Sequence, residues 1–418
     1  MNSELALHVL LALAVVVIVG HLIGTLLARI GQPPVIGEVL SGILLGPSLV
    51  GRLAPGIESY LFPESARPAL SVIAQLGVVL YMFVVGLDFD PGSLRRRAAP
   101  FVFTSQVSIA LPFALGIGLA AFLYPDLSQP GVRLLAFALF MGVAMSITAF
   151  PVLARILTDR GLSRTELGVA ALTCAAVDDV TAWCLLAVVV GVARATVAGA
   201  LVSALLAGAF MAMMFLAGRP LVARLARASS DDEPSQAAVT WTLAGLLLSA
   251  IVAELIGIHA IFGAFIFGAI LPAESAVARQ LRLHRTPVTT ILFLPAFFAL
   301  TGLRTEIGLL SSPREWAICA LIVLLATAGK FGGTFAAARL MGMPSHFAAS
   351  LGVLMNTRGL MELVVLNVGL DIGVISPALF TMMVIMALVT TAMTAPLLDL
   401  IVPGGRENRK DYEERSHT

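Results

Sequence analysis

The chain has 418 residues, of which 59% are hydrophobic and only 12% charged, and its formal net charge is +1. Soluble proteins contain about 25% charged residues, so this composition, with a mean hydropathy of +0.97, excludes an ordinary soluble domain. The net charge of +1 gives no information about partners, and no nucleic-acid partner is expected. Apolar runs long enough to cross a bilayer core of roughly 30 Å recur along the chain. The sequence therefore predicts an all-α polytopic membrane protein embedded in a lipid bilayer.

The apolar runs predict about thirteen transmembrane helices, of which the eighth and ninth are the hardest to separate. A single helix from Ala238 to Leu271 would be about 51 Å long at 1.5 Å per residue, which exceeds the bilayer core. Glu254, Gly257 and His259 supply a turn, and we interpret the first and last of these as interfacial residues. The predicted helices span residues 5–28, 33–50, 68–88, 98–124, 133–157, 165–193, 197–218, 237–255, 258–273, 286–303, 314–338, 346–369 and 375–402.

The distribution of basic residues predicts the orientation of these helices. Cytoplasmic loops of membrane proteins carry an excess of lysine and arginine. With the N-terminus outside, thirteen helices place 18 of the 26 basic residues on the inner side and 6 on the outer side. The remaining two, Lys330 and Arg358, fall within predicted spans. We therefore expect an outer N-terminus, a cytoplasmic C-terminus and a location in the cell (inner) membrane.

Three motifs recur in the same order, seven helices apart. The pairs are GEVLSGILLGP (37–47) with GAFIFGAILP (263–272), FVVGLDFD (83–90) with FALTGLRTE (298–306), and SITAFP (146–151) with NTRG (356–359). The first pair aligns Gly42 with Gly268, and the second aligns Gly86 with Gly302. Because seven is odd, the two copies cross the membrane in opposite directions. Inverted repeats of this kind are typical of secondary transporters, whose binding sites lie near the midplane at interrupted helices.

The sixth predicted helix contains two adjacent aspartates, Asp178 and Asp179, with no basic residue within seven positions on either side. Carboxylates in the membrane are costly and normally face the protein interior or a water-filled cavity. Neighbouring helical positions diverge by about 100°, so the two aspartates cannot face one partner equally well. Two close carboxylates also repel each other, which favours proton uptake by one of them. The pair therefore predicts a site that exchanges a proton for a monovalent metal cation.

Lys330 is the only lysine of the predicted membrane domain. Gly329, Gly332 and Gly333 surround it, and small residues let membrane helices approach each other closely. Lys330 is therefore the expected counter-ion of one aspartate. A purely structural ion pair is the alternative, but it leaves the second aspartate without an explanation.

The fifth predicted helix contains residues that favour an interruption. Pro151 has no backbone donor, and the hydroxyls of Ser146 and Thr148 can bond to their own backbone. An interrupted helix would free carbonyl groups that can help to bind a cation, and Ser146 and Thr148 are candidate ligands. The alternative is a simple proline kink.

The twelfth predicted helix is broken by polar residues at a similar depth, namely Asn356, Arg358 and Glu362. Arg358 can neutralise Glu362, four residues further on, or bind the carbonyl end of a broken helix. We expect a structural or coupling role for this pair rather than direct contact with the transported ion.

Five motifs together resemble the cation:proton antiporter superfamily, and the branch of Kef-type and plant cation/proton exchangers is the most similar. They are QPPVIGEVLSGILLGPSL, LGVVLYMFVVGLDFD, SITAFPVLARIL, AAVDDVTAW and LMNTRGLMELVVLNVGL. The resemblance implies a sodium/proton antiporter fold with two discontinuous crossing helices. It further implies that residues 1–402 form an ion-transport bundle and a dimerisation bundle, that the protein is a homodimer, and that residues 403–418 form a short polar cytoplasmic tail.

The resemblance also implies roles for the buried charges. The ion-binding aspartate of the family falls on Asp179, and Asp178 occupies the preceding position, where many members of this branch have a neutral residue. Paired aspartates resemble the electrogenic sodium/proton antiporters, in which the first aspartate pairs with a lysine that matches Lys330.

The resulting hypothesis is a secondary antiporter that exchanges Na⁺ or K⁺ for protons by alternating access. Asp179 would bind the cation or the proton, and the ion pair of Asp178 and Lys330 would break and re-form in each cycle. A second proton released by Lys330 would make the exchange electrogenic. No resident cofactor is expected, since Cys174, Cys184 and Cys319 have no paired spacing.

Two other classes of function are less compatible with the sequence. An organic-anion/sodium symporter on the same fold would place its anionic substrate against the two aspartates. An intramembrane enzyme would need a recognisable catalytic motif, and the sequence contains no Gly-x-Gly-Asp, HExxH or nucleophile-elbow motif. We therefore do not expect an enzyme.

Overall fold

The computed structural model describes residues 3–88, 91–163, 165–194, 197–227, 235–272, 274–281 and 289–401. These residues are almost entirely helical, which confirms the predicted fold class, while the predicted tail at 403–418 lies outside them. The α-helices are Ser3–Arg29, Pro34–Leu45, Val50–Leu53, Pro55–Leu61, Arg67–Asp88, Pro91–Leu127, Leu134–Ser146, Phe150–Asp159, Glu166–Arg194, Val197–Met213, Arg219–Arg227, Gln236–Ile256, Ala260–Ile270, Leu294–Leu303, Pro313–Leu340, Ser345–Met355, Leu360–Asp371 and Pro377–Ile401.

The number of membrane spans is slightly lower than predicted. In the described part of the chain, 11 helices are long and apolar enough to cross a membrane. A twelfth is added if Ser345–Met355 and Leu360–Asp371, which are bent by 42°, count as one span. The predicted ninth helix is present as Ala260–Ile270, but it is too short to meet the same criterion. About thirteen helices was thus close to the observed architecture.

The turn predicted between the eighth and ninth helices is present. The helix Gln236–Ile256 ends at Gly257, which has the left-handed backbone conformation (φ +89°) that ends many helices. The carboxylate of Glu254 then accepts a hydrogen bond of 2.8 Å from the N–H of Ala260, at the start of the next helix. The side chain of Glu254 therefore stabilises the turn that separates the two helices.

The chain divides into two compact units, one formed by residues 1–19, 50–93 and 183–300, the other by residues 20–49, 94–182 and 301 onward. Each unit contains an equivalent close contact between two helices. In the first unit, a Cβ added to Gly86 would lie 3.1 Å from the Cα of Gly268. In the second unit, a Cβ added to Gly302 would lie 2.8 Å from the Cα of Gly42. These four glycines are the ones that the sequence repeat aligns in pairs, so the repeat corresponds to equivalent helix packing.

Two interrupted helices in the second unit position the polar residues at its centre. The first consists of Leu134–Ser146 and Phe150–Asp159, and the second of Ser345–Met355 and Leu360–Asp371. Their extended linkers meet where the N–H of Ala149 donates a 2.9 Å hydrogen bond to the carbonyl of Thr357. Pro151 lies in the first turn of the second half of its helix, where a missing N–H costs nothing. The predicted pair of discontinuous crossing helices is therefore confirmed.

Candidate functional site

Lys330 and Asp178 form an ion pair in the interior of the second unit. The Nζ of Lys330 lies 2.5 Å from Oδ2 of Asp178, and the two side chains are 0% and 1% exposed. Lys330 reaches this position because Gly329 packs closely on Pro112, so that the helix Pro313–Leu340 approaches the helix Pro91–Leu127. Of the three glycines beside Lys330, Gly329 and Gly333 make close contacts, whereas a Cβ at Gly332 would meet nothing within 4 Å.

Three hydroxyl groups add to the ion pair around the carboxylate of Asp178. Ser105 donates a 2.5 Å hydrogen bond to Oδ1, and Ser108 lies 3.5 and 3.4 Å from the two oxygens. Thr148 Oγ1 lies 2.9 Å from Oδ2 and 2.8 Å from the carbonyl of Met355, and its single proton can be donated to either. The charge of Asp178 is thus balanced by one ammonium, by two hydroxyls from the helix Pro91–Leu127 and by one hydroxyl from the linker of the first interrupted helix.

Ser105 and Ser108 were not predicted from the sequence. Together with Thr104 they form a polar group within the apolar middle of the helix Pro91–Leu127, and all three side chains are buried. Polar residues on a membrane helix normally face the protein interior, so this grouping was the signal that could have identified them.

Asp179 has the opposite environment from its neighbour. Its side chain is 1% exposed, yet neither carboxylate oxygen has a hydrogen-bond partner among the described residues. The helix Glu166–Arg194 directs Asp178 towards Lys330 and the hydroxyls, and the helical rotation of about 100° between neighbours directs Asp179 elsewhere. The two aspartates therefore differ sharply: Asp178 is paired, and Asp179 has no hydrogen-bond partner among the described residues.

The end of the first interrupted helix contributes a backbone carbonyl to the site. The carbonyl oxygen of Ser146 accepts a 2.6 Å hydrogen bond from Lys330 Nζ. The hydroxyl of Ser146 instead donates to the carbonyl of Val143, in its own helix, at 2.9 Å. Of the two predicted candidates in this segment, Thr148 thus contacts an aspartate through its side chain, and Ser146 contacts the lysine through its backbone.

Arg358 binds both of the groups that the sequence suggested for it. Its guanidinium donates to Glu362 Oε2 at 2.6 Å, to the carbonyl of Ala144 at 2.9 Å and to that of Met145 at 2.6 Å. The arginine is 0% exposed. The last carbonyls of a helix have no partner within the helix and carry the negative end of its dipole. Arg358 and Lys330 therefore neutralise the end of the half-helix Leu134–Ser146 from two sides.

Thr391 satisfies the backbone of the second interrupted helix. Its Oγ1 accepts a 3.0 Å hydrogen bond from the N–H of Arg358 and donates a 2.6 Å hydrogen bond to the carbonyl of the same residue. Buried backbone groups released by a helix break must find such partners. The helix Pro377–Ile401 thereby fixes the point from which the Arg358 side chain extends.

Comparison with known proteins gives consistent matches over nearly the whole chain. The family model described as sodium/hydrogen exchanger, transmembrane, matches residues 11–400. The Na⁺/H⁺ antiporter NhaS4 of Synechocystis sp. is 46% identical over 406 residues, which are 96% of this chain and 99% of that protein. The solved structure of the sodium proton antiporter MjNhaP1 from Methanocaldococcus jannaschii has a TM-score of 0.65 at 14% identity and covers 95% of this chain and 96% of its own. That likeness shows the shared fold.

Two eukaryotic relatives extend the comparison. Cation/H⁺ antiporter 17 of Arabidopsis thaliana is 38% identical and the K⁺/H⁺ antiporter 1 of Saccharomyces cerevisiae is 33% identical, over 97% and 96% of this chain. The chain spans about half the length of these two proteins, 50% and 47%. The relatives are named as antiporters of cations against protons, so the comparisons do not favour the organic-anion symporter. On the match to residues 11–400 and the 46% identity to a relative of equal extent, the chain belongs to the transmembrane sodium/hydrogen exchanger family of cation/proton antiporters.

Proposed function

We propose that this chain exchanges Na⁺ or K⁺ for protons and that Asp179 carries both ions in turn. The observation that supports this most strongly is the contrast between the adjacent aspartates. Asp178 receives an ammonium and hydroxyl donors, whereas both oxygens of the buried Asp179 have no partner among the described residues.

The physical argument follows from the cost of an unpaired buried charge. An isolated carboxylate in a medium of low dielectric constant is strongly disfavoured. Asp179 is compatible with its surroundings when a proton or a bound monovalent cation neutralises it. Because one carboxylate accepts only one of the two at a time, binding of the cation releases the proton. Competition of this kind, combined with access from alternate sides of the membrane, gives antiport.

The direct test is proton movement in proteoliposomes that contain a pH-sensitive dye. A gradient of Na⁺, K⁺ or Li⁺ should drive proton flux in the opposite direction, and comparison of the three ions gives the selectivity. Asp179→Asn should abolish this flux while the protein remains folded in mild detergent. Flux of wild-type size from that variant would disprove the role of Asp179.

The ion pair of Asp178 and Lys330 gives the exchange a second titratable unit. When the cation draws on Asp178 as well as on Asp179, the pair loosens and Lys330 can release its proton. Two protons then move against one cation, so one net charge crosses the membrane in each cycle. A membrane potential acts on that charge with about 2.3 kcal/mol per 100 mV. The role of Arg358 and Glu362 in this proposal is to hold the interrupted helices in the geometry that the pair requires.

The two units are proposed to have separate tasks within residues 1–402. The unit of residues 20–49, 94–182 and 301 onward contains all the candidate site residues, so we assign ion transport to it. The other unit would mediate homodimerisation, which cross-linking of the purified protein in lipid would test. We further propose a cell (inner) membrane location with the N-terminus outside. In a variant without the native cysteines, Arg52→Cys should then react with an impermeant thiol reagent added to intact cells.

A further inference from the structure

Three oxygens surround the ammonium of Lys330. They are Oδ2 of Asp178 at 2.5 Å, the carbonyl of Ser146 at 2.6 Å and Oγ of Ser108 at 3.4 Å. An ammonium group has three N–H donors and no acceptor, so each oxygen presents a lone pair to a monovalent positive charge. The same property is needed to bind a dehydrated Na⁺ or K⁺. The same oxygens can therefore bind a transported cation once the ion pair has loosened and the ammonium has moved away from them.

We propose that Ser108 is a ligand of the transported cation at this position and sets the preference among Na⁺, K⁺ and Li⁺, and that Ser105 is a positioning residue for Asp178. The inference rests on the proposed function and extends it. It adds two residues of the helix Pro91–Leu127 to a site otherwise made by the aspartates and the interrupted helices.

Ser108 contacts both partners of the ion pair. Its Oγ lies 3.4 Å from Lys330 Nζ and 3.4 and 3.5 Å from the oxygens of Asp178. These distances are longer than the usual 2.5–3.0 Å of a hydroxyl hydrogen bond, or roughly 2.9 Å for one from nitrogen, so the hydroxyl is not committed to one partner. A hydroxyl has one donor and two lone pairs and rotates to suit its neighbours. It can therefore donate to Asp178 and at the same time turn a lone pair towards a cation.

Because these contacts of Ser108 are long, Ser108 can influence the selectivity among Na⁺, K⁺ and Li⁺. A small ion draws its ligands inward, and a larger ion is satisfied by oxygens that lie further out. Asp178 and the Ser146 carbonyl already lie close to the central charge, at 2.5 and 2.6 Å. Ser108, at 3.4 Å, is the ligand of the three with room to move, so its approach to the ion depends on the size of that ion.

Ser105 has a different geometry and hence a different role. Its hydroxyl donates a 2.5 Å hydrogen bond to Oδ1 of Asp178, the carboxylate oxygen that does not contact Lys330. This short bond fixes the rotation of the carboxylate, so that Oδ2 faces Lys330 and Thr148. Loss of the Ser105 hydroxyl should weaken the site for every cation to the same extent.

Thr104 provides a matched control on the same helix. Its side chain is 0% exposed, and its hydroxyl donates to the carbonyl of Pro100, in its own helix, at 2.8 Å. Thr104→Val thus removes a buried hydroxyl from the neighbourhood of Ser105 without removing a contact to the ion pair.

The experiment compares Ser108→Ala, Ser105→Ala and Thr104→Val with the wild type in proteoliposomes. The KM and kcat of cation-driven proton flux are measured for Na⁺, K⁺ and Li⁺. Ser108→Ala should change the ratios between the three KM values by about 2- to 10-fold, as expected for one hydrogen-bond-sized contact. Ser105→Ala should raise all three KM values by a common factor and leave their ratios unchanged. Thr104→Val should match the wild type in both respects.

A second measurement keeps the inference testable if an alanine variant folds poorly. Ser108→Cys preserves size but replaces a hard oxygen with a soft sulfur, so it should lower the affinity for Li⁺ most and for K⁺ least. Ion-dependent thermal stabilisation of the purified variants reports the same order without transport. The inference would be overturned if Ser108→Ala kept the wild-type ratios between the KM values. It would also be overturned if Thr104→Val changed these ratios as much as Ser108→Ala does. If the wild type moves no protons with any of the three cations, the proposed function fails instead.

Discussion

Asp179→Asn and Lys330→Met are expected to change the stability of the folded protein in opposite directions. Both substitutions remove a buried charge, and both nearly preserve the size of the side chain. They differ in whether an unpaired buried charge remains in the variant. Lys330→Met removes the ammonium from Asp178, whereas Asp179→Asn removes a charge that has no partner among the described residues.

The magnitudes follow from these surroundings. Removing one partner of a buried ion pair costs about 3–5 kcal/mol, because the other charge stays buried without compensation. Lys330→Met should lower the free energy of unfolding by about 3 kcal/mol, the lower limit of this range. The reason is that Ser105, Ser108 and Thr148 still contact Asp178. An unsatisfied buried polar group costs about 1–3 kcal/mol and more when it is charged. The amide that replaces the carboxylate in Asp179→Asn is still unpaired, so only a part of this cost is removed. The free energy of unfolding should therefore rise by about 1 kcal/mol.

The assay is the free energy of unfolding in mixed detergent micelles, measured at alkaline pH in choline chloride without Na⁺ or K⁺. These conditions leave Asp179 without a cation and disfavour its protonation, so the cost of its charge is largest. The two variants should differ by about 4 kcal/mol, with the wild type between them. Equal destabilisation by both substitutions would show that Asp179 is paired as firmly as Asp178, and the reasoning would be refuted.

Three further substitutions test the hydroxyls and the charge coupling. Thr148→Val removes a donor to Asp178 at little change in volume, so the apparent KM for the cation should rise in the flux assay; a change only in protein yield would make Thr148 a packing residue. Thr391→Val should slow exchange because it frees both backbone groups of Arg358, while Thr391→Ser restores the rate. Thr390→Val should have little effect, since that hydroxyl bonds to the carbonyl of Met386 in its own helix. Wild-type exchange of Na⁺ should respond to an imposed potassium/valinomycin potential, and Lys330→Gln should weaken or remove the response; a wild type that ignores the potential would leave Lys330 a structural partner only.

The helices were largely predictable because the bilayer dictates the length of each apolar run. The same rule explains the one uncertain element. Ala260–Ile270 was recognised as a helix from the turn at Glu254 to His259, but its 11 residues are too few for a full span. The helix Arg67–Asp88 packs against it at Gly86. In the sequence, only the internal repeat indicated that Gly86 has a structural role.

The charged part of the site was predictable because buried charges are rare and need partners. Lys330 and Arg358 were the two basic residues within predicted spans. Arg358 had Glu362 four residues away, which left Lys330 as the expected partner of the aspartates. The hydroxyl part was not predictable. Most hydroxyls in membrane helices bond to a carbonyl of their own helix, as those of Thr104 and Thr390 do. Their immediate neighbours Ser105 and Thr391 reach across to other segments, and the sequence alone does not distinguish the two cases.

The central claim is that a proton and a cation compete for the carboxylate of Asp179. The most direct measurement is the apparent KM for Na⁺, or for K⁺ if it is the better substrate, as a function of pH in wild-type proteoliposomes. Competition for the carboxylate predicts that KM rises by at least about tenfold for each unit by which the pH falls, and by up to about a hundredfold where Lys330 also releases a proton, once the pH is low enough for protons to dominate. The maximal rate at saturating cation should change much less over the same range. A KM that stays constant while only the maximal rate changes with pH would contradict competition at a shared site.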